Sequence, residues 1–467
     1  MVESGSGAGE TTHSFRARAR LARIQEDHRA RLQDDAAIAA KATMSVNRRD
    51  VLVGLGGMVA GATLGKLEAH GAPVPHAAAG PIPPQGPGFP RKADFNFAPG
   101  YTYISGAYTH PMPIAAAEAY RRVIDRRATV GMPPAPSSAA PPVNPKAAFA
   151  ALINAKPSEI SYIPNTSTGE NLVVEFLGIG RNEGNVVTDA LHFEGALVHL
   201  MELQKRGLDL RIVQPREDGR IDMKDLERVV DKRTKLVEVS LVSMYNGFQH
   251  DLKAVCDLAH AHGAYVYADI IQGVGAVPFD VRATGVDFAA TATYKWLMGD
   301  FGLGFFFVRE ELLGSVIRRP HWSYESAPDT DIHTSPFDPQ YPKPVTYTPG
   351  TDASSYFQLG TIASGVREAL GVSIPYIQAL GVENIERYRQ PMLQRLQDEL
   401  PRLGFKPQTP TGNPSPIVTF AHKDAATINR KLQAARVNVR VADYWMRIAP
   451  SVYNDMQDIE RLLEALA

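Results

Sequence analysis

The sequence has little cysteine and no long apolar run. Its single cysteine, Cys256, excludes a disulfide within the chain and a metal site built from clustered cysteines. It lies in the apolar helical pattern AVCDLAHAHG, where a small buried side chain is typical, and the sequence indicates no metal ligands elsewhere. The formal net charge of −1 gives no electrostatic reason to expect nucleic acid or an anionic membrane as a partner. No apolar stretch reaches the length of a bilayer span, so we predict that the chain is not an integral membrane protein.

We predict that the first 92 residues form three segments that precede the folded domains. Residues 1–43 are polar and rich in arginine and alanine, as in a solvated N-terminal tail. Residues 44–80 carry the pair Arg48 and Arg49 ahead of a short, glycine-rich apolar run, which resembles a twin-arginine export signal. Residues 81–92 form a Pro/Gly linker. We therefore expect a periplasmic or secreted protein; the alternatives are a plain apolar helix at 44–80 and a cytoplasmic location.

The rest of the chain, at 467 residues in total, is long enough for two structured domains. Short apolar strands alternate with amphipathic helices from residue 159 onward, a pattern typical of a parallel sheet with crossover helices. The pattern predicts an α/β fold: a large domain over 93–370 with a mostly parallel seven-stranded sheet, and a small C-terminal α+β domain over 371–467. The N-terminal segment of 93–370 is expected to join the small domain. Its strands are predicted at 159–163, 185–188, 208–213, 235–242, 264–269, 288–291 and 304–308.

The strongest chemical signal lies between Asp269 and Lys295. Asp269 ends an apolar strand, YVYAD, and Lys295 follows another strand within the small and hydroxyl residues of ATATYK. An amine that attacks a carbonyl must be desolvated so that its pKa falls. A carboxylate at a strand end can keep a ring nitrogen protonated. A Schiff-base lysine with such a carboxylate is the pair that pyridoxal 5′-phosphate requires, although a lysine near a strand end is more often a solvated loop residue.

Two further positions fit a phosphorylated, aromatic cofactor. In PNTSTGEN a strand ends, and Ser167 and Thr168 lie where a helix begins, so free N–H groups and the positive end of the helix dipole could bind phosphate. An ordinary N-capped helix would show the same residues. His192 follows the next strand in VVTDALHFEG, where an imidazole could lie against a cofactor ring, although a lone histidine is more often a packed residue.

The order of these motifs resembles the class V aminotransferase superfamily of fold-type I pyridoxal phosphate enzymes. The resemblance rests on TSTGE, His192, VSMYNG, Asp269-x-x-Gln272, the segment ending at Lys295, YTPGT, and VRV followed by MRIAP. It covers about residues 94–467. Isopenicillin N epimerase-like proteins are the most similar group, with kynureninases and cysteine desulfurases further off.

The resemblance implies roles for particular side chains. Lys295 would carry the cofactor and move a proton at the substrate Cα, Asp269 would pair with the pyridine nitrogen, and His192 would stack on the ring. The implied cofactor-binding set is Ser167, Thr168, His192, Asp269, Gln272, Thr293, Tyr294, Lys295 and Thr351. Thr351 would reach the phosphate across the interface of a homodimer. Arg447 would bind the substrate carboxylate, for which a guanidinium suits bidentate pairing, with Arg440 as a second substrate-binding candidate.

The reaction remains open at this point. The resemblance favours an epimerase or racemase acting on an amino acid or an amino-acid-containing molecule. A class V aminotransferase or a C–S or β-lyase is the alternative, and an exported enzyme could modify a siderophore or another periplasmic peptide. The chain has no cysteine where desulfurases carry theirs, and either Met244 or Asn246 takes the place of an asparagine near the cofactor's phenolic oxygen.

Two readings from other classes fit less well. Gly273-x-Gly275 could belong to a nicotinamide-binding enzyme, but it lacks the third glycine and the strand–turn–helix setting that such a site needs. A catalytically inactive binding protein on the same fold would have no need for the complete set of Lys295, Asp269 and the phosphate turn.

Overall fold

The computed structural model describes residues 88–129, 143–180, 184–319, 321–328 and 347–467. The predicted tail (1–43), the predicted export signal (44–80) and most of the predicted linker lie outside these ranges. Within them, every helix is too short or too polar for a bilayer span.

Seven strands form the main sheet, and helices connect them. The strands are β2 (Ile160–Ile163), β3 (Asn185–Asp189), β4 (Asp209–Val213), β5 (Thr234–Ser240), β6 (Tyr265–Asp269), β7 (Phe288–Ala292) and β8 (Gly304–Val308). The helices of this part are α1 (Ile114–Ala128), α2 (Pro145–Leu152), α3 (Thr166–Phe176), α4 (Glu194–Gln204), α5 (Met223–Glu227), α6 (Leu252–Ala261), α7 (Val281–Thr284), α8 (Ala353–Phe357) and α9 (Ser364–Leu380).

The sheet has the order β2-β8-β7-β6-β5-β3-β4, and β8 alone of these seven strands runs in the opposite direction to the others. The predicted mostly parallel seven-stranded sheet is therefore confirmed, and each strand lies within two residues of its predicted bounds. Strands covered on both faces read as continuous apolar runs. Phe305, Phe306 and Phe307 show this in β8, where successive side chains point to opposite faces and all three are buried.

A second, four-stranded sheet has the order β12-β13-β10-β9. Its strands are β9 (Lys406–Pro407), β10 (Val418–Ala421), β12 (Arg440–Val441) and β13 (Trp445–Ile448), and its helices are α10 (Val382–Glu399), α11 (Ala425–Ala435) and α12 (Met456–Leu466). The short strand β1 (Thr102–Tyr103) pairs in parallel with β11 (Val437–Asn438). The N-terminal part of the described chain thus contacts the C-terminal region through this pair of strands.

Helix α9 spans the predicted domain boundary at residue 370. Its buried residues Val366, Leu370 and Ile374 belong to the apolar core of the large sheet. The core of the small sheet takes its first helical residues from α10, beginning at Met392. By its packing, the small domain therefore begins within α10 rather than at residue 371, because α9 is a single helix whose apolar face covers the large domain.

Candidate active site

The carboxyl ends of parallel strands bring the predicted residues to one edge of the main sheet. β3, β5, β6 and β7 are consecutive neighbours in the sheet, and each ends at this edge. His192 follows β3, Asp269 ends β6, and Lys295 lies in the turn after β7. In parallel sheets, ligands bind at this edge. The fold therefore brings together residues that are more than a hundred positions apart in sequence.

Lys295 is a buried amine with no acidic partner at contact distance. Its side chain is 7% exposed, and among the described residues its Nζ has neither a hydrogen bond nor an ion pair. Burial, with a smaller contribution from the Arg447 cation, lowers the pKa of Lys295 from 10.5 to about 7, and the negative charge of Asp269 opposes this shift. A large fraction of the amine is therefore the free base near neutral pH, the form that can attack a carbonyl or accept a proton.

The pKa of Asp269 is shifted in the opposite direction. Burial raises its pKa from 3.8 to about 6, against the backbone N–H of Ile271 and the charge of Lys295, both of which lower it. Its Oδ1 accepts the Ile271 N–H at 2.9 Å. This bond fixes the carboxyl orientation at the strand end. A ring N–H would supply the hydrogen bond and positive charge that a buried carboxylate needs.

His192 is buried and neutral. Burial lowers its pKa from 6.5 to about 4. Nδ1 lies 2.9 Å from the hydroxyl of Ser240, at the end of β5, and Nε2 is buried without a hydrogen-bond partner in the described part of the chain. An uncharged imidazole held at one nitrogen is suited to lie against an aromatic ring.

The phosphate turn differs in detail from the prediction. Helix α3 begins at Thr166, and Asn165 is its N-cap: Asn165 Oδ1 accepts from the Thr168 backbone N–H at 2.9 Å and from its hydroxyl at 3.2 Å. The donors of Thr168 are thus used for capping. The first-turn amides of Thr166 and Ser167 precede the intrahelical bonds and remain available for an anion. Tyr267 steadies the turn by donating to the Thr166 carbonyl at 3.2 Å.

Gln272 has a fixed amide orientation. Its Oε1 accepts from the indole Nε1–H of Trp296 at 3.1 Å, and its Nε2 donates to the carbonyl of Ala107 at 3.0 Å. An indole can only donate, so the oxygen of Gln272 must face Trp296. The amide has one N–H left, which gives Gln272 a donor for the phenolic oxygen predicted near it. The guanidinium of Arg389 lies 5.6 Å from the centre of the Trp296 ring.

Three further residues were predicted to contact the cofactor: Thr293, Tyr294 and Thr351. Their surroundings in the structure differ from one another. The Thr293 hydroxyl lies 2.7 Å from the carbonyl of Asp300 and 3.0 Å from that of Leu303, so its proton serves the loop backbone. Tyr294 is stacked on Phe301, and the Lys295 amine is 5.7 Å from the centre of its ring. Thr351 is exposed on the single chain, so its predicted contact across a dimer interface stays a prediction.

Arg447 reaches the site from the small sheet. It lies on β13, is 4% exposed, and donates through Nη1 to the carbonyl of Met244 at 2.7 Å. Burial and the cation of Arg440 lower its pKa to about 10, which still leaves it charged at neutral pH. Asn246, the other residue considered for the position near the phenolic oxygen, donates to the Gly219 carbonyl and accepts from the Phe248 N–H. Met244 contacts Arg447 through its backbone oxygen.

Cys256 lies away from this edge. It is buried in α6, and burial raises the pKa of its thiol. No group of three His, Cys, Asp or Glu suited to a metal ion occurs among the described residues.

Sequence reasoning missed several residues that shape the site. Each lies beside a residue that was identified. The hydroxyl run that singled out Ser167 also contains Thr166, and the strand end before VSMYNG contains Ser240. No local signal marks Trp296 or the Met244 carbonyl, because their roles depend on contacts between distant segments.

Comparison with known proteins agrees with this geometry. The family model Aminotransferase class-V matches residues 143–462. A probable cysteine desulfurase from Methanothermobacter thermautotrophicus is 29% identical over 259 residues, covering 53% of this chain and 58% of that protein. A cysteine desulfurase from Escherichia coli (strain K12 / DH10B) is 29% identical over 245 residues, covering 52% of this chain and 57% of the relative. The chain thus matches little more than half the length of these curated relatives.

Solved structures share the fold at lower identity. The cysteine desulfurase CsdA of Escherichia coli superposes with a TM-score of 0.67 at 19% identity, covering 80% of this chain and 96% of that chain. The cysteine desulfurase of Thermococcus onnurineus NA1 gives a TM-score of 0.66 at 22% identity, covering 80% and 95%. A complex described as cystine C-S lyase with its product cysteine persulfide gives 0.66 at 20% identity, covering 78% and 97%.

The residues present fit pyridoxal phosphate. A desolvated amine, a carboxyl at a strand end, an unpartnered imidazole nitrogen and free first-turn amides lie at one sheet edge. The family match extends from α2, upstream of this edge, to the strand that carries Arg447 and into α12 beyond it. The chain therefore belongs to the class-V aminotransferase family, and its cofactor is pyridoxal 5′-phosphate.

Proposed function

We propose that this protein is an enzyme that removes the Cα proton of an α-amino acid. The observation that carries the proposal is the buried Lys295 amine, whose pKa of about 7 makes it a base near neutral pH. Arg447 is the cation that would hold the substrate carboxylate, through two N–H groups facing the two oxygens. The substrate would thus be fixed by its carboxylate beside the base that acts on it.

The cofactor would be held by residues of the large domain. Asp269 would bind its ring nitrogen, the Thr166 and Ser167 amides its phosphate, and His192 and Gln272 its ring face and phenolic oxygen. When bound, pyridoxal phosphate withdraws electrons from the substrate Cα and so makes its proton more acidic. The chain's own task is to bind, to orient, and to accept and return that proton at Lys295 Nζ.

We place β-elimination, including C–S bond cleavage, first among the reactions. The curated relatives described above are named cysteine desulfurases, which supports chemistry at a C–S bond. The buried Cys256 gives no accessible thiol to receive sulfur, so the leaving group would pass directly to solvent. Cys256→Ala is expected to keep full activity; loss of activity with intact folding would contradict this route.

Epimerisation, as in isopenicillin N epimerase-like proteins, is the second candidate. It requires a proton donor besides the lysine, and Tyr294 lies next to it with a pKa raised by burial, so the phenol keeps its proton. Tyr294→Phe should then slow inversion while leaving proton removal at Lys295 intact.

One experiment separates these reactions. The loaded enzyme is incubated with candidate amino acids in deuterated water, and deuterium at Cα, configuration and products are measured. Keto acid with ammonia or a sulfur product supports elimination, whereas deuterium at an inverted Cα supports epimerisation. A keto acid formed together with an aminated cofactor would instead indicate transamination. No exchange with any α-amino acid would contradict the proposed function.

Export and assembly are separate proposals. We propose that the Arg48–Arg49 pair directs twin-arginine export and that the substrate is a periplasmic peptide or siderophore precursor; replacing both arginines by lysine should retain the protein in the cytoplasm. We also propose a homodimer in which Thr351 contacts the partner's cofactor. Sedimentation of the loaded protein tests the dimer, and a monomer would contradict it.

A further inference from the structure

Two arginines lie directly opposite each other in the small sheet. Arg440 on β12 is the register partner of Arg447 on β13. Directly opposite residues in an antiparallel pair have Cβ atoms about 5 Å apart on the same face, and like charges placed there destabilise the sheet. The cation of Arg440 indeed contributes to lowering the pKa of Arg447.

Neither arginine has a carboxylate to offset this repulsion. Among the described residues, no Asp or Glu oxygen lies within ion-pair distance of either guanidinium, and the largest charge effect on Arg447 comes from the cation of Arg440. Some other arginines of the described chain do pair with carboxylates. Arg211, Arg216 and Arg395 each contact two carboxylates. What distinguishes Arg440 and Arg447 is that two arginines without a carboxylate partner lie directly opposite each other.

Both guanidiniums are nevertheless held in place. Arg447 is tied to the Met244 carbonyl, and the guanidinium of Arg440 lies 5.1 Å from the centre of the Tyr108 ring. A ring face orients a cation without neutralising it. Both contacts leave the positive charge available, which is what a binding site for anionic groups requires.

The position of this pair ties it to the reaction site. Arg447 is close enough to Lys295 for its charge to lower the lysine's pKa. The α-carboxylate of a substrate would bind to Arg447. Arg440, on the adjacent strand, would then be available to bind a second acidic group.

We propose that the substrate is an α-amino acid with a second acidic group, and that Arg440 binds this group while Arg447 binds the α-carboxylate. This inference rests on the proposed function, since it assumes that an amino acid occupies the site. A dicarboxylic amino acid satisfies both cations and removes the repulsion between them. A neutral side chain would give Arg440 no anion to bind.

The test compares acids with their amides on the cofactor-loaded protein. L-Glutamate and L-aspartate are titrated against L-glutamine and L-asparagine, and binding is followed by the change in the cofactor's visible absorbance. The unmodified protein should bind the better acid about 10-fold or more tightly than its amide, as expected for a hydrogen bond to a charged group. Arg440→Gln should abolish this preference through weaker acid binding, and Arg440→Lys should restore part of it.

Arg430→Gln is the matched control, since Arg430 is an arginine on α11 whose side chain bonds to Thr427 of its own helix. It should keep the preference for the acid. Equal binding of acid and amide by the unmodified protein overturns the inference, as does an Arg440→Gln variant that weakens both ligands equally. If Arg440→Gln does not fold, the acid-to-amide ratio of the unmodified protein and of Arg440→Lys decides. A protein that takes up no cofactor overturns the proposed function as well.

Discussion

The candidate site has two parts, one at the edge of the main sheet and one in the small sheet, and they differ in the ionisation of their side chains. At the edge of the main sheet, burial suppresses ionisation: it lowers the pKa of Lys295 to about 7 and raises that of Asp269 to about 6. In the small sheet, Arg440 and Arg447 remain charged and have no acidic partner among the described residues. Groups that exchange protons need a pKa near the working pH, whereas groups that bind acids need a permanent charge. The division suggests chemistry on the large domain and substrate recognition on the small one.

The two parts are not electrostatically independent. The Arg447 cation lowers the pKa of Lys295, and the Asp269 carboxylate raises it. Arg447, which is proposed to bind the substrate carboxylate, thus helps to keep the Lys295 amine unprotonated. Variants in either part of the site can test this coupling.

The largest effect is expected from Lys295→Ala. Removal of the base should lower Cα–H exchange by roughly 10²- to 10⁴-fold, the usual contribution of a positioned acid–base group. Lys253→Ala is the control, because Lys253 forms an exposed pair with Asp257 on α6. Exchange rates in deuterated water measure the effect, and a Lys295→Ala rate equal to that of the control would contradict the assignment.

Asp269→Asn should act next most strongly. The amide oxygen can still accept from the Ile271 N–H, so the turn should keep its shape, but the charge is gone. A hydrogen bond to a charged group is worth about 1.5–3 kcal/mol, so cofactor affinity should fall roughly 10- to 150-fold. Equilibrium dialysis of the cofactor measures this loss. Unchanged affinity would show that Asp269 does not pair with the ring nitrogen.

The pH dependence of cofactor capture should separate the two parts. The pKa of Lys295 is lowered to about 7, so the rate at which the apoprotein binds cofactor covalently should rise as pH increases through this value. Arg447→Met removes a cation and should move the midpoint to higher pH. Asp269→Asn removes an anion and should move it to lower pH. Stopped-flow absorbance across pH gives both midpoints, and shifts in the same direction would refute the electrostatic account.

A smaller effect is expected from Trp296→Phe. Phenylalanine keeps a ring beside Arg389 but cannot donate to Gln272, so the amide of Gln272 is free to turn. Loss of one neutral hydrogen bond, worth about 0.5–1.5 kcal/mol, should weaken cofactor binding about 2- to 12-fold. Trp322→Phe, at an exposed tryptophan, should leave it unchanged. Equal cofactor affinities of the two variants would show that Trp296 does not contribute to cofactor binding.

The sequence was most informative where a single segment determines the structure. The buried strands can be recognised in the sequence because both faces of a covered strand are apolar, as in Phe305–Phe307. Once the strands are placed, the residues at their ends can be identified. Asp269 and Lys295 were found this way. Arg440 facing Arg447 was not, since it depends on cross-strand register, and neither was the Trp296–Gln272 bond between separate turns. The phosphate contact of Thr168 stays a prediction: Asn165 caps the helix and accepts from both donors of Thr168, a local contact that the hydroxyl run alone did not indicate.

The central claim is that Lys295 carries pyridoxal phosphate. The most direct measurement is borohydride reduction of the cofactor-loaded protein, followed by proteolysis and mass spectrometry of the labelled peptide. We expect loss of the visible absorbance and one modified peptide with the cofactor mass on Lys295. A label on another lysine, or a protein that stays colourless and unlabelled after incubation with cofactor, would contradict it.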